Sequence, residues 1–244
     1  MKIIILAAFV VSAAIGVALS SENTQGDSLS PGASSPNAGG KGIYADAVVE
    51  IEVGEGSLKD LRKFGQWMKV LDEVESDKAK AVILRISARD GYLQQTEGLM
   101  ERLLRLKVPS YALVERQALR EGALLALAAT SIFMTADSII GGAGLFSTEE
   151  EGAAGDREQN HSKLLATIRR VVSRRGHSLE LVQALLKPGD RDRRFGEVLV
   201  PAGTVLTLTA QEAASQIGGE PLLATAVLGE PEDILSIVGL PGAE

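Results

Sequence analysis

Arg120-Glu121-Gly122 stands where an apolar strand runs into a wholly apolar helix. Such a turn can host chemistry, because the first backbone N–H groups of a helix have no intrahelical partner and meet an anion readily. Arg120 itself cannot attack a carbonyl, since a guanidinium stays protonated. A serine hydroxyl is a weak nucleophile and must lose its proton to a neighbour of matched pKa, which a lysine lowered by burial can be. Ser87, Thr130 and Ser131 are the substitute hydroxyls, and none opens a helix ahead of a glycine. Lys163 is a weak candidate base. His161 and His177 have no carboxylate and serine at triad-like positions, and solvated rings are expected for both. Glu121, at the mouth of the helix, is a candidate base for chemistry that rests on a carboxylate. The chain has no cysteine, which excludes a thiolate nucleophile, disulfides and thiolate metal sites. No metal and no cofactor is expected.

The elements that must position this turn are legible around it. Val108 to Val114 reads as a strand, Gln117 to Gly122 as the connection, and Ala123 to Ala129 as a helix with no polar face, which must be buried all round. Ile132 to Met134 and Ile139 to Ile140 are short strands, and Gly141, Gly142 and Gly144 form a glycine turn. Upstream, Asp46 to Val53 and Ala81 to Ile86 are strands. Between them, Ser57 is the expected N-cap of a helix carrying Leu61, Phe64, Trp67, Met68 and Leu71 at helical spacing. A second helix passes through Leu99, Leu103 and Leu106. Strand, loop, helix, strand is a crossover unit with parallel strands.

Downstream, Ser147 to Lys163 reads as an exposed acidic loop and Ser162 to Arg175 as a helix ended by Gly176. Arg169, Arg170, Arg174, Arg175 and Arg191 are the basic part of an acidic chain, read as a solvated face. Pro188 to Phe195 is a charged turn. Thr209 and Glu212 have the spacing of a capping box. Leu222 to Val227 and Pro231 to Val238 are the last strand and helix.

With these residues in place, the chain resembles the NfeD-type membrane serine protease and signal peptide peptidase A group of the ClpP/crotonase superfamily. The resemblance covers about Val48 to Leu240. It is carried by the triplet at Arg120-Glu121-Gly122, the turn at Gly141 to Gly144 and the run IRRVVSRRGHSLELVQ. The most specific part is the tail pattern on Gly203, Leu206, Leu208, Thr209, Glu212 and Ala213. The resemblance implies an α/β fold of the ClpP/crotonase kind, a repeated ββα spiral with a mostly parallel sheet. It also implies that Gly91, Glu121 and Gly122 supply oxyanion-hole-like backbone. The family's serine falls on Arg120, a glycine of its loop falls on Asp90, and its lysine falls near Gln159 or His161, several residues before Lys163. These departures imply a protease fold without protease chemistry, an inactive binding, scaffold or regulatory subunit. An active membrane-associated serine endopeptidase with a relocated nucleophile is the alternative. The crotonase branch would use Glu121 as base, but no acyl-thioester-binding signature is visible. Opposed charges in facing loops suggest that Arg120 pairs with Asp90.

The rest of the sequence bounds the setting. Residues 1–20 carry one cation, Lys2, then an apolar run from Ile3 to Leu19 and small residues before Ser21. This is the pattern of a secretory signal peptide, with an uncleaved anchor at residues 3–19 as the alternative. Residues 21–42 are a Ser/Gly/Pro-rich tether, and residues 43–244 form one domain. The 244-residue chain is 45% hydrophobic and 23% charged, with formal net charge -7. That composition supports a sizeable core and argues against nucleic-acid binding. Export to the periplasm or another extracytoplasmic site is expected. The expected partners are further copies of the chain or an envelope membrane protein, and an apolar peptide is the implied ligand.

Overall fold

A computed structural model describes residues 3–6, 42–142 and 154–239, with the backbone alone at 3, 5, 6 and 154–161. The strands are β1 (Ile3–Leu6), β2 (Val48–Val53), β3 (Ala81–Ala88), β4 (Ser110–Leu119), β5 (Ser131–Thr135), β6 (Ile139–Gly141), β7 (Arg193–Phe195), β8 (Val198–Val200), β9 (Thr207–Thr209), β10 (Gln216–Ile217), β11 (Glu220–Pro221) and β12 (Ala226–Leu228). The helices are α1 (Leu61–Ser76), α2 (Leu93–Arg105), α3 (Glu121–Ala128), α4 (Ala154–Arg175), α5 (Leu179–Leu186), α6 (Ala210–Ala214) and α7 (Asp233–Ile237).

The main sheet runs β1-β2-β3-β4-β5-β12, parallel throughout. Beyond the end of β5, β6 takes up the second half of β4 in parallel and pairs antiparallel with β9. The fold is therefore α/β with a mostly parallel sheet, as expected. Strand alternation serves two buried faces, as parallel sheets require. Val82, Leu84 and Ile86 join the large core under α1, α2 and α3, whereas Ala81 and Ile83 join a smaller cluster closed by Ile234 and Leu235 of α7. Farther along that second face the apolar row gives way to ions: Arg85 bonds Glu115 at 2.7 Å and reaches Glu50 at 3.5 Å.

Helix α3 is the centre of the packing. All eight of its residues are buried, with Leu124, Leu125 and Leu127 at 1% exposure or less. Each buried leucine contributes about 1.5–3 kcal/mol of hydrophobic stabilisation. The Thr209–Glu212 capping box forms as expected, with reciprocal bonds of 3.3 and 2.8 Å.

Several boundaries differ from the sequence reading. Ser57 opens a single 3-10 turn, Ser57–Lys59, and the cap of α1 is Asp60, whose carboxylate accepts from Arg62 and Lys63 N–H. Leu61 then falls in the first turn, ahead of the helix face that meets the sheet, and is 62% exposed. Strand β4 runs on to Leu119, so the connection is one residue, not six. Helix α4 starts at Ala154, eight residues before the expected Ser162, within the segment read as a loop. Arg193 to Phe195 of the expected charged turn pair with β8 as a hairpin. Residues 3–6, read as leader, lie in parallel register on β2, Ile3 opposite Val48. Gly144 and the start of the acidic segment lie outside the described residues, as do the side chains of Gln159 and His161.

Candidate functional site

The site forms at the carboxyl ends of β3 and β4, where ligands gather in open parallel sheets. Strand β4 ends at Leu119, and α3 begins at Glu121. Arg120 alone turns the chain, at φ 50 and ψ -117. A non-glycine residue there is strained by about 1–3 kcal/mol. Strand, strained single-residue apex and helix is the geometry that holds an attacking side chain clear of a sheet. Two contacts keep the apex in place. Arg120 N–H donates to Gly141 O at 3.2 Å, which ties the turn to the end of β6. Gly122 lies over the end of β3, with no room for a Cβ against Ala88 O.

The second wall is Arg89 to Tyr92, between β3 and α2. Gly91 can only be glycine, because a Cβ on it would lie 2.5 Å from Leu58 Cβ and 3.3 Å from Glu121 Cβ. Its N–H points at the helix opening, where the family resemblance implies half of an oxyanion hole. That donor is already taken: Gly91 N–H donates to Glu121 Oε2 at 3.1 Å. Glu121 is buried, at 2% exposure. Burial pushes its carboxyl pKa up, against its own N–H, Arg120 and the Gly91 N–H, which all favour the charged form. Arg120 Nε stands 3.5 Å from Glu121 Oε2 and is buried without a hydrogen-bond partner.

Arg120 and Asp90 do share a groove, of about 390 Å³, with Glu55, Lys59, Arg89 and Gly91. They do not pair. Asp90 binds Lys59, brought in by the 3-10 turn, and Arg120 contacts Glu121. The expected Arg120–Asp90 ion pair is therefore replaced by two others.

The candidate base and hydroxyls lie apart from this groove. Lys163 is exposed on α4 and lines a different groove, with Gln94, Glu97, Glu101 and Arg170. Thr130 Oγ1 accepts from Ser110 N–H at 3.2 Å, and Ser131 begins β5 beside Arg175 and His177. Ser87 is half-buried within β3. His177 is not a solvated ring: its Nε2 lies 2.9 Å from Leu127 O, and burial pushes its pKa down. Arg175 Nε donates to Ala128 O at 2.9 Å, so these two residues finish the carbonyl end of α3. Arg174 likewise turns inward, donating to Leu104 O at 2.9 Å. Among the described residues there is no cluster of three or more metal-ligating side chains, and no helix long and apolar enough to cross a membrane.

A mostly parallel sheet with a strained strand-to-helix apex facing a glycine N–H matches a ClpP-like protease fold. Solved structures agree on that architecture. A membrane-bound stomatin-specific protease, in a mutant form, superposes with a TM-score of 0.54 at 18% identity, over 78% of this chain and 82% of that one. A second mutant of it, in complex with a substrate peptide, gives 0.53 at 17% identity, over 78% and 77%. A membrane protease specific for a stomatin homolog from Pyrococcus horikoshii gives 0.53 at 15% identity, with the same coverage of 78% and 77%. No curated protein matches the chain in sequence. The model of the NfeD1b N-terminal domain matches residues 48–243, and the chain belongs to that family.

Proposed function

We propose that this NfeD-type chain is a protease-like protein without protease activity, and that it binds an extended peptide segment of a partner as a scaffold or regulatory subunit. The observation that carries this reading is Arg120 at the strained apex. A guanidinium in that position neither attacks a carbonyl nor takes a proton. Among the described residues, no hydroxyl lines the groove around it, and its lysine, Lys59, is bound to Asp90. Retention of the apex, the Gly91 loop and the glycine turn supports a surface that still receives a peptide. The stomatin specificity of the solved proteases supports an envelope membrane protein of that kind as the partner. The apolar run after Lys2 supports delivery by export, and the superfamily's assembly habit supports a homo-oligomer.

The test is cleavage and binding of an apolar, end-capped peptide by the chain and by Arg120→Ser, followed by mass spectrometry and fluorescence anisotropy. Binding without cleavage by the unmodified chain is the expected result. Cleavage by the unmodified chain would overturn the reading and turn attention to Ser87, Thr130, Ser131 and Lys163. Cleavage by Arg120→Ser alone would show that only the nucleophile is missing.

A further inference from the structure

We propose that Glu121 is a built-in plug: its carboxylate occupies the N–H cradle that would hold a bound peptide's carbonyl oxygen, and the peptide must displace it. The inference deepens the peptide-binding reading above and rests on it.

The cradle is made by two loops that share no sequence neighbourhood. Gly91 N–H comes from the end of β3, and the free N–H groups of the first turn of α3 come from the end of β4. A carbonyl oxygen arriving at such convergent donors is the usual ligand of this geometry. Here Glu121 fills the position from within, at 3.1 Å from Gly91 N. The loop is pressed onto the stem of the same side chain, since a Cβ on Gly91 would lie 3.3 Å from Glu121 Cβ. The groove above is open to solvent-exposed charges, while the carboxylate beneath is 2% exposed. The plug covers the cradle floor.

The plug is held by the Gly91 N–H and its own backbone N–H, but its charge is imperfectly paired. A buried carboxylate is stabilised when its oxygens are fully hydrogen-bonded and its charge is paired with good geometry. Arg120 Nε lies at 3.5 Å without forming a hydrogen bond, and its side chain is 42% exposed. Lys59, the next cation in the groove, is engaged by Asp90. A neutral peptide carbonyl at Gly91 N–H satisfies the donor without burying a charge. Glu121 regains water on leaving, and Arg120 is free to follow it. Peptide and plug are thus mutually exclusive ligands of one donor pair.

The full chain, Glu121→Ala and Glu121→Gln would be titrated with the same uncharged, end-capped apolar peptide. Glu121→Ala is expected to bind roughly tenfold tighter or more, because nothing competes for the cradle. Glu121→Gln keeps an acceptor oxygen at the same reach and is expected to bind no tighter than the unmodified chain. Equal affinity of the unmodified chain and Glu121→Ala would overturn the plug and leave the binding reading standing. Absence of binding in every variant would overturn both. The amide NMR resonance of Gly91 gives a measurement independent of the peptide. It is expected to shift upfield in Glu121→Ala and to move in the unmodified chain as Glu121 is protonated. A Gly91 resonance indifferent to both changes would overturn the plug.

Discussion

Gly122 sits so close over the end of β3 that a Cβ on it would stand 2.5 Å from the carbonyl oxygen of Ala88. Backbone opposes backbone there, so no side chain can swing aside. Gly122→Ala is expected to push the start of α3 off β3 and to destabilise the fold by about 1–3 kcal/mol. Urea denaturation checks this, and an unchanged midpoint would show that the helix can ride outward freely.

Arg120 offers a cleaner separation of backbone from side chain. Glycine and alanine both remove the guanidinium, but only alanine keeps a Cβ at φ 50. Arg120→Gly is therefore expected to be more stable than Arg120→Ala by about 1 kcal/mol. Equal stability of the two variants in thermal and urea melts would mean that the apex relaxes without the arginine.

Glu121 makes stability depend on pH with a definite sign. Burial raises its folded pKa above the ordinary carboxyl value, so the folded state holds the proton more firmly than the unfolded state. Its favourable contribution is full below the ordinary value and is lost as pH rises through the raised one. Relative to Glu121→Gln, the unmodified chain should lose stability across that window. Arg120→Ala removes a cation that favours the charged form and should move the window upward. A difference between the chain and Glu121→Gln that stays flat with pH would contradict the assignment.

His177 acts in the opposite direction. Burial lowers its folded pKa, so the contribution of the neutral ring is full above the ordinary imidazole value. It is lost as pH falls through that value toward the lowered one. His177→Ala should destabilise the chain at neutral pH, by about 1 kcal/mol for the lost contact to Leu127 O. The gap should narrow on the acid side of the imidazole range, which paired urea titrations would register.

The parallel sheet, the buried helix and the capping box at Thr209 were all legible, because each rests on a local pattern that tertiary contacts reinforce. Polar residues hid the rest. After the polar pair Glu115-Arg116, Gln117 to Leu119 read as part of the connection, yet β4 continues through them because β6 arrives as a new partner, with Gln117 opposite Ile139. The charged first turns of α4 read as a loop for the same reason. Leu61 fits the helical stripe but precedes the face that meets the sheet. At the site, the two loops that line the groove could be named from sequence. The ion pairs within it could not, since Lys59 reaches Asp90 across a separation of 31 residues. Glu121 was visible as a residue at a helix mouth, but nothing local tells whether its carboxylate points outward or back to Gly91. His177 did leave a signal: an entirely buried helix needs partners for its last carbonyls, and a following arginine and histidine are suitable donors.

The single-residue turn at Arg120 has a dynamic consequence. With no slack between Leu119 and Glu121, and with Arg120 N–H bonded to Gly141 O, strand β4, helix α3 and strand β6 cannot open separately. The amides around the turn should exchange with solvent only when this whole unit unfolds, giving the slowest exchange at a connection, where fast exchange is the usual rule. A hinge is thereby excluded from the place where the groove is built, and any accommodation of a ligand falls to side chains and to the opposite wall.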